Sequence, residues 1–291
     1  MGRSKKILVT GAGGLLGSEF CSMALAENKE FATFPKNHKE LDITHLPQIE
    51  ENLSRIKPDF LINCGAYTQV DRAESEPELA RKVNVLGPQK LAEACLRHQT
   101  KLIHYSTDFV FDGQKRSPYI ESDPLAPLNI YGKTKLEGEQ VIRSILPKDQ
   151  HLILRISWPY GRNGKNFIHT LLELSKTRSE IKVVTDQVGV PNPANLLAQK
   201  TLCLMEETSG LFHLSCTGSC SRYELIRFLL ERVRSACHMI PISSDQFTSL
   251  AKRPCYSVLG SEREEVIRKA AMPHWQEALM EYLKDLAWNY S

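Results

Sequence analysis

The stretch that decides the fold is residues 7–17, which reads ILVTGAGGLLG. A short apolar run leads into a glycine-rich turn, and an amphipathic stretch follows at once. This order is typical of dinucleotide binding, because glycines let the backbone approach a pyrophosphate and a helix N-terminus offers free N–H groups. The spacing is G-x-x-G-x-x-G over Gly11, Gly14 and Gly17, since Leu16 stands where G-x-G-x-x-G would place its last glycine. We therefore predict a nucleotide site at this loop rather than a purely structural turn.

The rest of the first half repeats the alternation of strand and helix. Runs of near-continuous hydrophobicity are predicted to be strands buried on both faces, and the longer amphipathic stretches between them are predicted helices. The predicted strands are residues 7–9, 30–34, 60–63, 102–106 and 152–156, and the predicted helices are residues 17–27, 46–56, 76–98 and 131–144. This alternation predicts an α/β fold with a Rossmann-like, doubly wound parallel sheet.

The pattern becomes less regular after residue 157. Helices are predicted over residues 167–176, 221–235 and 273–288, and strands over residues 181–185 and 211–214. We predict an NAD(P)-binding Rossmann-like domain over residues 1–157, to which some later segments return. A smaller α/β substrate domain is predicted over residues 158–291.

The composition bounds the class of protein. With 291 residues, 42% of them hydrophobic and 24% charged, the chain resembles an ordinary globular protein rather than a disordered one or a coiled coil. A net charge of +3 is too small to indicate binding to nucleic acid or to an anionic membrane. No apolar run approaches the roughly 18–20 residues of a membrane span. The eight cysteines occur without a secretory signal, so we expect reduced thiols and a cytoplasmic protein.

The residues after the second predicted strand bear on the choice of cofactor. An acidic side chain about 20 residues beyond the glycine turn would bind the ribose 2′-hydroxyl of NADH, but no Asp or Glu occurs there before Glu40. Lys36, His38 and Lys39 stand there instead and suit the 2′-phosphate of NADPH, although a solvated basic loop explains them equally well. We therefore predict NADPH as the cofactor, with NADH still open.

A threonine, a tyrosine and a lysine form the candidate catalytic group. Tyr131 and Lys135 are four residues apart and share one face of a predicted helix, and Thr107 ends a predicted strand, where α/β sheets place reactive groups. Reduction of a ketone needs a proton on oxygen. We expect the Lys135 ammonium to lower the pKa of Tyr131 by about 2–3 units, worth about 3–4 kcal/mol, and the Thr107 hydroxyl to hold the substrate oxygen. The alternative is a partly exposed tyrosine beside a solvated lysine.

Four longer strings carry a resemblance to a known family. They are residues 63–77 (NCGAYTQVDRAESEP), 104–113 (HYSTDFVFDG), 126–139 (APLNIYGKTKLEGE) and 154–161 (LRISWPYG). With the glycine turn, and with shorter strings at residues 186–191, 212–215, 253–259 and 275–279, they resemble the dTDP-4-dehydrorhamnose reductases of the extended short-chain dehydrogenase/reductase superfamily, over nearly the whole chain. The resemblance implies an oxidoreductase that reduces the 4-keto group of a dTDP-linked 6-deoxyhexulose with NADPH. Its product would be dTDP-L-rhamnose for cell-envelope polysaccharides.

The resemblance also implies roles for individual residues. It assigns Thr107, Tyr131 and Lys135 as the catalytic trio, with Tyr131 as the acid. The residues implied at the cofactor are Gly11, Gly14, Leu15, Leu16, Gly17, Asp42, Ile43, Cys64, Gly65 and Ala66, together with Tyr131 and Lys135. The residues implied at the sugar nucleotide are Val70, Thr107, Asp108, Phe109, Trp158 and Arg253.

Four residues, one of which is Asn84 with an implied place beside the cofactor, also have a structural alternative to the role that the resemblance implies. Asp42 would contact the adenine, or cap a helix. Asn84 would lie near the nicotinamide end, or staple a helix as a buried asparagine. Trp158 would offer a flat wall to a hexose, or serve as a core residue. Arg253 would bind the diphosphate, or form a surface salt bridge.

The departures from the family pattern leave other functions open. Phe109 stands where the family often has tyrosine, so a hydroxyl that could contact the sugar is missing, and Asn192 stands where the family more often has threonine. Because Asp108 is followed by Phe109 rather than by glutamate, a sugar-nucleotide dehydratase is disfavoured. The alternatives are a non-catalytic NADP-binding regulatory subunit resembling that of methionine adenosyltransferase, or another nucleotide-sugar reductase or epimerase. The family often forms homodimers, sometimes with Mg²⁺ at the interface, but the sequence assigns no metal ligands.

Overall fold

A six-stranded parallel sheet forms the centre of the molecule, as the sequence predicts. The computed structural model describes residues 4–25, 30–164, 166–263 and 268–286. The strands are β1 (Lys5–Thr10), β2 (Phe31–Lys36), β3 (Phe60–Asn63), β4 (Lys101–Thr107), β5 (His151–Ile156), β6 (Pro159–Tyr160), β7 (Glu180–Val184), β8 (Val188–Gly189), β9 (Asn192–Pro193), β10 (Gly210–His213), β11 (Cys220–Ser221) and β12 (His238–Ile242). The central sheet has the order β2-β1-β3-β4-β5-β10, and every pairing in it is parallel.

Helices flank the sheet and continue through the second half of the chain. They are α1 (Leu15–Leu25), α2 (Leu46–Ile56), α3 (Val70–Ser75), α4 (Pro77–Arg81), α5 (Gly87–His98), α6 (Ile130–Ile145), α7 (Phe167–Thr177), α8 (Ala194–Leu204), α9 (Arg222–Arg232) and α10 (Trp275–Asp285). A π-helical turn covers Lys82–Leu86, and 3₁₀ turns cover Asp108–Val110, Lys148–Gln150 and Ser244–Gln246.

Both faces of the central sheet are buried, which explains its uninterrupted apolar strands. Val9 belongs to a core shared with Leu197 of α8, whereas its neighbour Leu8 belongs to a core shared with Leu91 of α5. Successive strand residues point to opposite faces, so each strand needs apolar residues at both parities. The near-continuous hydrophobicity that predicted a parallel sheet therefore has this physical cause.

The topology fixes where a ligand can bind. The chain runs from β1 to β2 on one side and then crosses to β3 on the other, so the strand order reverses between β1 and β3. In open α/β sheets, ligands bind in the crevice beyond the carboxyl ends of the strands at such a point. The glycine turn follows β1, and residues 64–66 follow β3. Both therefore lie at the edge where a nucleotide is expected.

Two helical regions differ from the prediction. The helix predicted over residues 76–98 consists of α4, a π-helical turn and α5. Pro88 has no N–H to donate to the carbonyl of Asn84, and the wider turn before it accommodates that loss. Helix α8 is not predicted at all, because the apolar residues Leu196, Leu202 and Cys203 lie outside its buried stripe and obscure the period of an amphipathic helix.

Segments beyond residue 157 join both parts of the molecule. Strand β10 pairs with β5 in the central sheet, and α8 contributes to the core on one face of it. A separate core gathers Tyr160, Leu171, Leu229 and Leu279 from the later elements. The domain boundary at residue 157 itself stays a prediction.

Three predictions concern features that extend along the whole chain. The ends of two predicted helices, residues 26–27 and 287–288, lie outside the described residues. Among the residues that are described, no helix is long and apolar enough to cross a membrane. The eight cysteines all fall in described segments, and each is a free thiol.

Candidate active site

A cleft of about 830 Å³ opens at the point where the strand order reverses. Seven residues that the sequence assigned to the cofactor line it: Gly11, Gly14, Asp42, Ile43, Cys64, Gly65 and Ala66. The lining also includes residues that received no role from the sequence, namely Gly13, Asn37, Leu41, Thr44, Tyr67, Gln69, Leu79 and Val83. The volume lies in the range of small-molecule and cofactor sites.

The glycine turn supplies the floor of this cleft. Gly11 has a φ of +65°, and a Cβ built on it would lie 2.8 Å from the backbone carbon of Cys64. Only glycine lets the turn lie this close to the end of β3. The residues present therefore fit the pyrophosphate of a dinucleotide, which needs a close backbone approach and free N–H groups.

Five residues assigned to the cofactor do not line this cleft: Tyr131 and Lys135, which are described below, and three residues at the start of α1. Leu16 packs against the core beside the sheet, and Leu15 approaches Gly161. Gly17 lies beneath the turn, where a Cβ would come within 2.2 Å of the Gly11 carbonyl oxygen. The group they can offer a pyrophosphate is the backbone N–H of the first helical turn, which has no intrahelical partner.

The basic loop after β2 divides into two parts. His38 and Lys39 line the cleft. Lys36 is not among the lining residues, and its ammonium lies 3.6 Å from the Glu40 carboxylate. Of the three basic residues predicted to bear on the cofactor, His38 and Lys39 are thus at the cleft.

Asp42 stabilises its own turn rather than a helix. Its Oδ1 accepts hydrogen bonds from the N–H and the hydroxyl of Thr44, both at 2.8 Å, and the residue preceding α2 is His45. The helix-capping alternative is therefore wrong. Burial acts to raise the pKa of the Asp42 carboxyl, but the hydrogen bonds from Thr44 outweigh it and hold the pKa below its usual value. Contact with an adenine stays a prediction.

Asn84 acts as a staple between two elements. Its Oδ1 accepts from the N–H of Tyr67 at 2.9 Å, and its Nδ2 donates to the Tyr67 carbonyl and to the Thr134 hydroxyl, both at 3.1 Å. The side chain is 1% exposed. These bonds tie the loop after β3 to α6, as the structural alternative for this residue predicts.

The catalytic candidates converge at the carboxyl end of β4. Thr107 is the last residue of that strand, and Tyr131 lies in the first turn of α6. The helix starts there because the Asn129 side chain accepts from the N–H of Gly132 at 2.8 Å. Lys135 is 3% exposed, so the alternative of a solvated lysine is wrong.

The protonation of Tyr131 differs from the expectation. Burial and the nearby charge of Asp108 together raise the pKa of Tyr131 to about 12, although a hydrogen bond with Thr107 opposes them. We expected Lys135 to lower this pKa. The lysine does not act in that way because its Nζ is directed at β4, where it donates to the Tyr105 carbonyl at 2.6 Å. A tyrosine with this pKa carries its proton at neutral pH.

A buried ion pair joins Arg155 of β5 to Glu139, which lies one helical turn beyond Lys135 on α6. Glu139 accepts from the Nε and Nη2 of Arg155 at 2.9 and 2.7 Å and also from the Ser106 hydroxyl. Both charged partners are 1% exposed. Burial lowers the pKa of Lys135 to about 8, and the charge of Glu139 opposes this shift.

Asp108 and Phe109 adjoin the trio. Asp108 is 2% exposed; its Oδ1 accepts from the Thr107 hydroxyl at 3.1 Å, while its Oδ2 has no hydrogen-bond partner within the described segments. Burial raises the pKa of Asp108 to about 6, against interactions with Ser257, Thr107 and Arg222. The ring of Phe109 packs edge-on against Tyr131, with 5.8 Å between centroids. A buried carboxylate oxygen is thus left available beside the trio.

Val70 and Arg253 occupy another edge of the site. Val70 begins α3, and the next residue, Asp71, binds Arg253 through two hydrogen bonds of 2.6 and 3.1 Å. This pairing lowers the pKa of the Asp71 carboxyl. Arg253 thus forms the salt bridge that was its structural alternative, and a role at a diphosphate stays a prediction.

Trp158 holds a residue that the sequence did not assign. Trp158 adopts a φ of +40°, and the guanidinium of Arg222 lies 3.5 Å from the centroid of its ring. Arg222 also lies over the ring of Phe167, at 4.6 Å. One face of the indole is therefore covered by a cation, which limits the flat wall expected for a hexose. Arg222 carried no sequence signal, since an arginine at the start of an amphipathic helix is usually solvated.

Coordination of a metal ion requires several ligating side chains close together. Within the segments that the structure describes, no group of three or more His, Cys, Asp or Glu side chains could hold one. Mg²⁺ therefore has no assigned residues.

Comparisons with known proteins agree with this geometry. A family model described as "RmlD substrate binding domain" matches residues 5–288. The spore coat polysaccharide biosynthesis protein SpsK of Bacillus subtilis is 36% identical over 282 residues, which cover 96% of this chain and 97% of that protein.

Two solved structures are closely similar over the whole fold. A dTDP-4-dehydrorhamnose reductase from Clostridium acetobutylicum has 37% identity and a TM-score of 0.92, covering 97% of this chain and 99% of that one. A dTDP-4-dehydrorhamnose reductase from Bacillus anthracis in complex with NADP has 34% identity and a TM-score of 0.92, covering 97% and 100%. Because the family model covers nearly the whole chain and these relatives share more than 30% of its sequence over nearly their full length, the chain belongs to the dTDP-4-dehydrorhamnose reductase family.

Proposed function

We propose that this protein is an NADPH-dependent oxidoreductase that reduces the 4-keto group of dTDP-4-dehydro-L-rhamnose and forms dTDP-L-rhamnose. The observation that carries the proposal is the convergence of Thr107, Tyr131 and a buried Lys135 at the carboxyl end of β4. The relatives named dTDP-4-dehydrorhamnose reductase support the choice of substrate. The product belongs to the supply of sugars for cell-envelope polysaccharides.

The residues divide the chemistry in a simple way. NADPH, when bound in the cleft, supplies the hydride for the carbonyl carbon. Tyr131 donates its phenolic proton to the carbonyl oxygen, and its pKa of about 12 ensures that the proton is present at neutral pH. The Thr107 hydroxyl holds the same oxygen and polarises it. Lys135, from its buried position, would orient the bound cofactor next to Tyr131.

The choice of NADPH depends on the basic loop. Lys39 and His38 line the cleft at the end of β2, where a ribose 2′-substituent lies in this class of fold. The NADP complex of the Bacillus anthracis relative supports the same cofactor. NADH is the poorer candidate because no carboxylate precedes Glu40 in this loop.

Lys39→Ala is expected to raise the KM for NADPH about tenfold and to leave the KM for NADH unchanged. A charge-assisted hydrogen bond contributes about 1.5–3 kcal/mol, and about 1.4 kcal/mol corresponds to tenfold. Lys36→Ala is the matched control, because Lys36 pairs with Glu40 and does not line the cleft. Steady-state kinetics with both cofactors test this, and equal effects of the two substitutions would contradict it.

The sugar nucleotide is proposed to lie beyond the trio, among Val70, Asp108, Phe109, Trp158 and Arg253. Arg253 already pairs with Asp71, so it can bind a diphosphate only as a shared partner. Arg222 has no hydrogen-bond acceptor among the residues described, and its stacked guanidinium keeps its N–H donors available. It is therefore the better placed of the two cations for an anionic group.

Three further parts of the proposal concern the whole protein. Residues 1–157 would form the cofactor domain and residues 158–291 the sugar domain. The protein would act in the cytoplasm with a small-molecule partner and without nucleic acid, in keeping with its eight free thiols. A second copy of the chain is its proposed protein partner, which light scattering would detect as a homodimer.

The direct test is turnover of NADPH with dTDP-4-dehydro-L-rhamnose, followed by identification of the sugar product. The proposal expects NADPH oxidation that depends on the ketosugar. A non-catalytic regulatory subunit would bind NADP, co-purify with a synthetase and leave the ketosugar unchanged, and that outcome would overturn the proposal. Another reductase or an epimerase would be recognised by its different product.

A further inference from the structure

A row of buried polar side chains crosses the sheet and ends at Lys135. Thr10 of β1 lies opposite Asn63 of β3, and Asn63 lies opposite His104 of β4. All three side chains are at most 1% exposed. Contacts within the row join neighbouring strands, and the last contact joins His104 to Lys135 on α6. Of these residues, the proposed chemistry uses Lys135 alone.

The orientation of the Asn63 amide is fixed by its partners. Its Oδ1 lies 3.0 Å from the backbone N–H of Gly65 and 2.7 Å from the Thr10 hydroxyl. A backbone N–H can only donate, so the atom facing Gly65 must be the amide oxygen. The amide nitrogen therefore faces His104, with 3.0 Å between Asn63 Nδ2 and His104 Nδ1. It donates, and Nδ1 must accept.

This arrangement determines the tautomer of His104. A neutral imidazole that accepts at Nδ1 carries its proton on Nε2. A doubly protonated ring would direct a second N–H at the Asn63 amide. Burial also holds the pKa of His104 well below its usual value. The ring therefore presents an N–H group to its next neighbour.

That neighbour is the lysine of the trio. His104 Nε2 lies 3.2 Å from Lys135 Nζ. A neutral amine has a lone pair that can accept this N–H, whereas an ammonium has only donors. The hydrogen bond therefore forms with the neutral amine and is lost when Lys135 is protonated.

We propose that His104 is a positioning residue that holds the Lys135 amine through a hydrogen bond from Nε2, so that Lys135 binds and releases a proton close to neutral pH instead of remaining a permanent ammonium. The inference rests on the proposed function in taking Lys135 as a member of the trio.

The other groups around Lys135 do not strongly favour either the ammonium or the neutral amine. From β4, the Tyr105 carbonyl accepts from Nζ at 2.6 Å, which either protonation state can satisfy. From α6, Glu139 favours the ammonium, but Arg155 of β5 occupies its carboxylate with two hydrogen bonds. Burial favours the amine and lowers the pKa of Lys135 to about 8. This position agrees with a lysine that exchanges its proton near neutrality.

The first experiment reads the tautomer of the wild-type protein by ¹⁵N NMR of labelled histidine, with His104 assigned through its contacts to Asn63. The expected result is a proton on Nε2 and a bare Nδ1 from about pH 6 to about pH 9, a range that spans the usual histidine pKa of about 6.5. A proton on Nδ1, or a ring with both nitrogens protonated, would overturn the proposal. No variant is needed for this measurement.

The second experiment follows the titration of Lys135 by NMR of lysine labelled at Cε, assigned by the signal that Lys135→Arg removes. His104→Leu withdraws the N–H donor, so the midpoint is expected to rise by at least about one pH unit towards the ordinary lysine value. Tyr105→Phe is the matched control on the same strand, since its hydroxyl bonds to Thr201 and its carbonyl is retained. It should leave the midpoint unchanged.

An unchanged midpoint in a folded His104→Leu variant would contradict the proposal, and so would an equal shift in Tyr105→Phe. The same rise should appear in the pH profile of ketosugar reduction, which a merely structural residue would not move. Neither NMR measurement requires a sugar substrate. A failure of the proposed reductase activity would therefore be seen separately, as an absence of ketosugar turnover.

Discussion

Replacing Tyr131 with phenylalanine is expected to lower kcat for ketosugar reduction by about 10²–10⁴-fold, the range typical of a lost general acid. Tyr131 forms a hydrogen bond with the Thr107 hydroxyl, and its pKa of about 12 keeps it protonated at neutral pH. The substitution removes one oxygen and keeps the ring that packs against Phe109. The KM for NADPH should therefore change little, as steady-state kinetics can establish.

Tyr160→Phe is the matched control for this prediction. Tyr160 is buried at 1% exposure, and its hydroxyl has no hydrogen-bond partner among the described residues. Loss of this hydroxyl should leave kcat unchanged. The assigned mechanism would be excluded if Tyr131→Phe retained more than about a tenth of the wild-type kcat, since general-acid loss costs at least about 10².

Gly17→Ala is expected to weaken NADPH binding by about 5–150-fold. The added Cβ would lie 2.2 Å from the carbonyl oxygen of Gly11 and 2.7 Å from its carbon, and both are backbone atoms that no rotamer change can move. The glycine turn must then shift away from the end of β3. Overpacking of this kind costs about 1–3 kcal/mol, which corresponds to this range when it falls on cofactor affinity. Fluorescence titration with NADPH measures the effect.

The next residue on the same helix provides the control. Ser18→Ala keeps the Cβ and removes only a hydroxyl that donates to the Leu15 carbonyl at 3.1 Å. Its affinity for NADPH should match the wild type. If Gly17→Ala bound NADPH as tightly as Ser18→Ala, the close contact beneath the turn would not be what shapes the pyrophosphate site.

The central sheet could be predicted because burial on both faces leaves a direct trace in the sequence. The runs before Gly11 and across residues 60–63 are apolar at both strand parities, and both became central strands. The point where the strand order reverses lies between β1 and β3, so the first half of the chain was enough to predict it. Helix α8 was missed because apolar residues such as Leu196 and Leu202 lie outside its buried stripe and hide the helical period in the sequence.

The site residues that belong to a short sequence motif could be predicted. Tyr131 and Lys135 share a helix face, and Thr107 ends a strand, so local spacing indicated them. Arg222 and His104 could not be found in this way, because their partners are far along the chain. The role of His104 depends on its contact with Asn63, which is 41 residues away in the sequence. The register of β3 and β4 brings the two side chains together.

The direction of the Tyr131 pKa was predicted wrongly for a related reason. Spacing shows that a lysine shares the helix face, but it does not show which acceptor the ammonium meets. The structure directs Lys135 to the Tyr105 carbonyl of β4, while Tyr131 is half-buried near Asp108. The conclusion changes from a tyrosine primed to ionise to a tyrosine that holds its proton, which suits reduction rather than oxidation.

The central claim is that this chain transfers hydride to a nucleotide-linked ketosugar. The most direct measurement uses NADPH carrying deuterium at the transferable position of the nicotinamide, with dTDP-4-dehydro-L-rhamnose as substrate and mass spectrometry and NMR of the sugar product. We expect the wild type to form dTDP-L-rhamnose with a single deuterium on C4, and Tyr131→Phe to form almost none of this product. Cofactor binding without deuterium in any sugar product would contradict it.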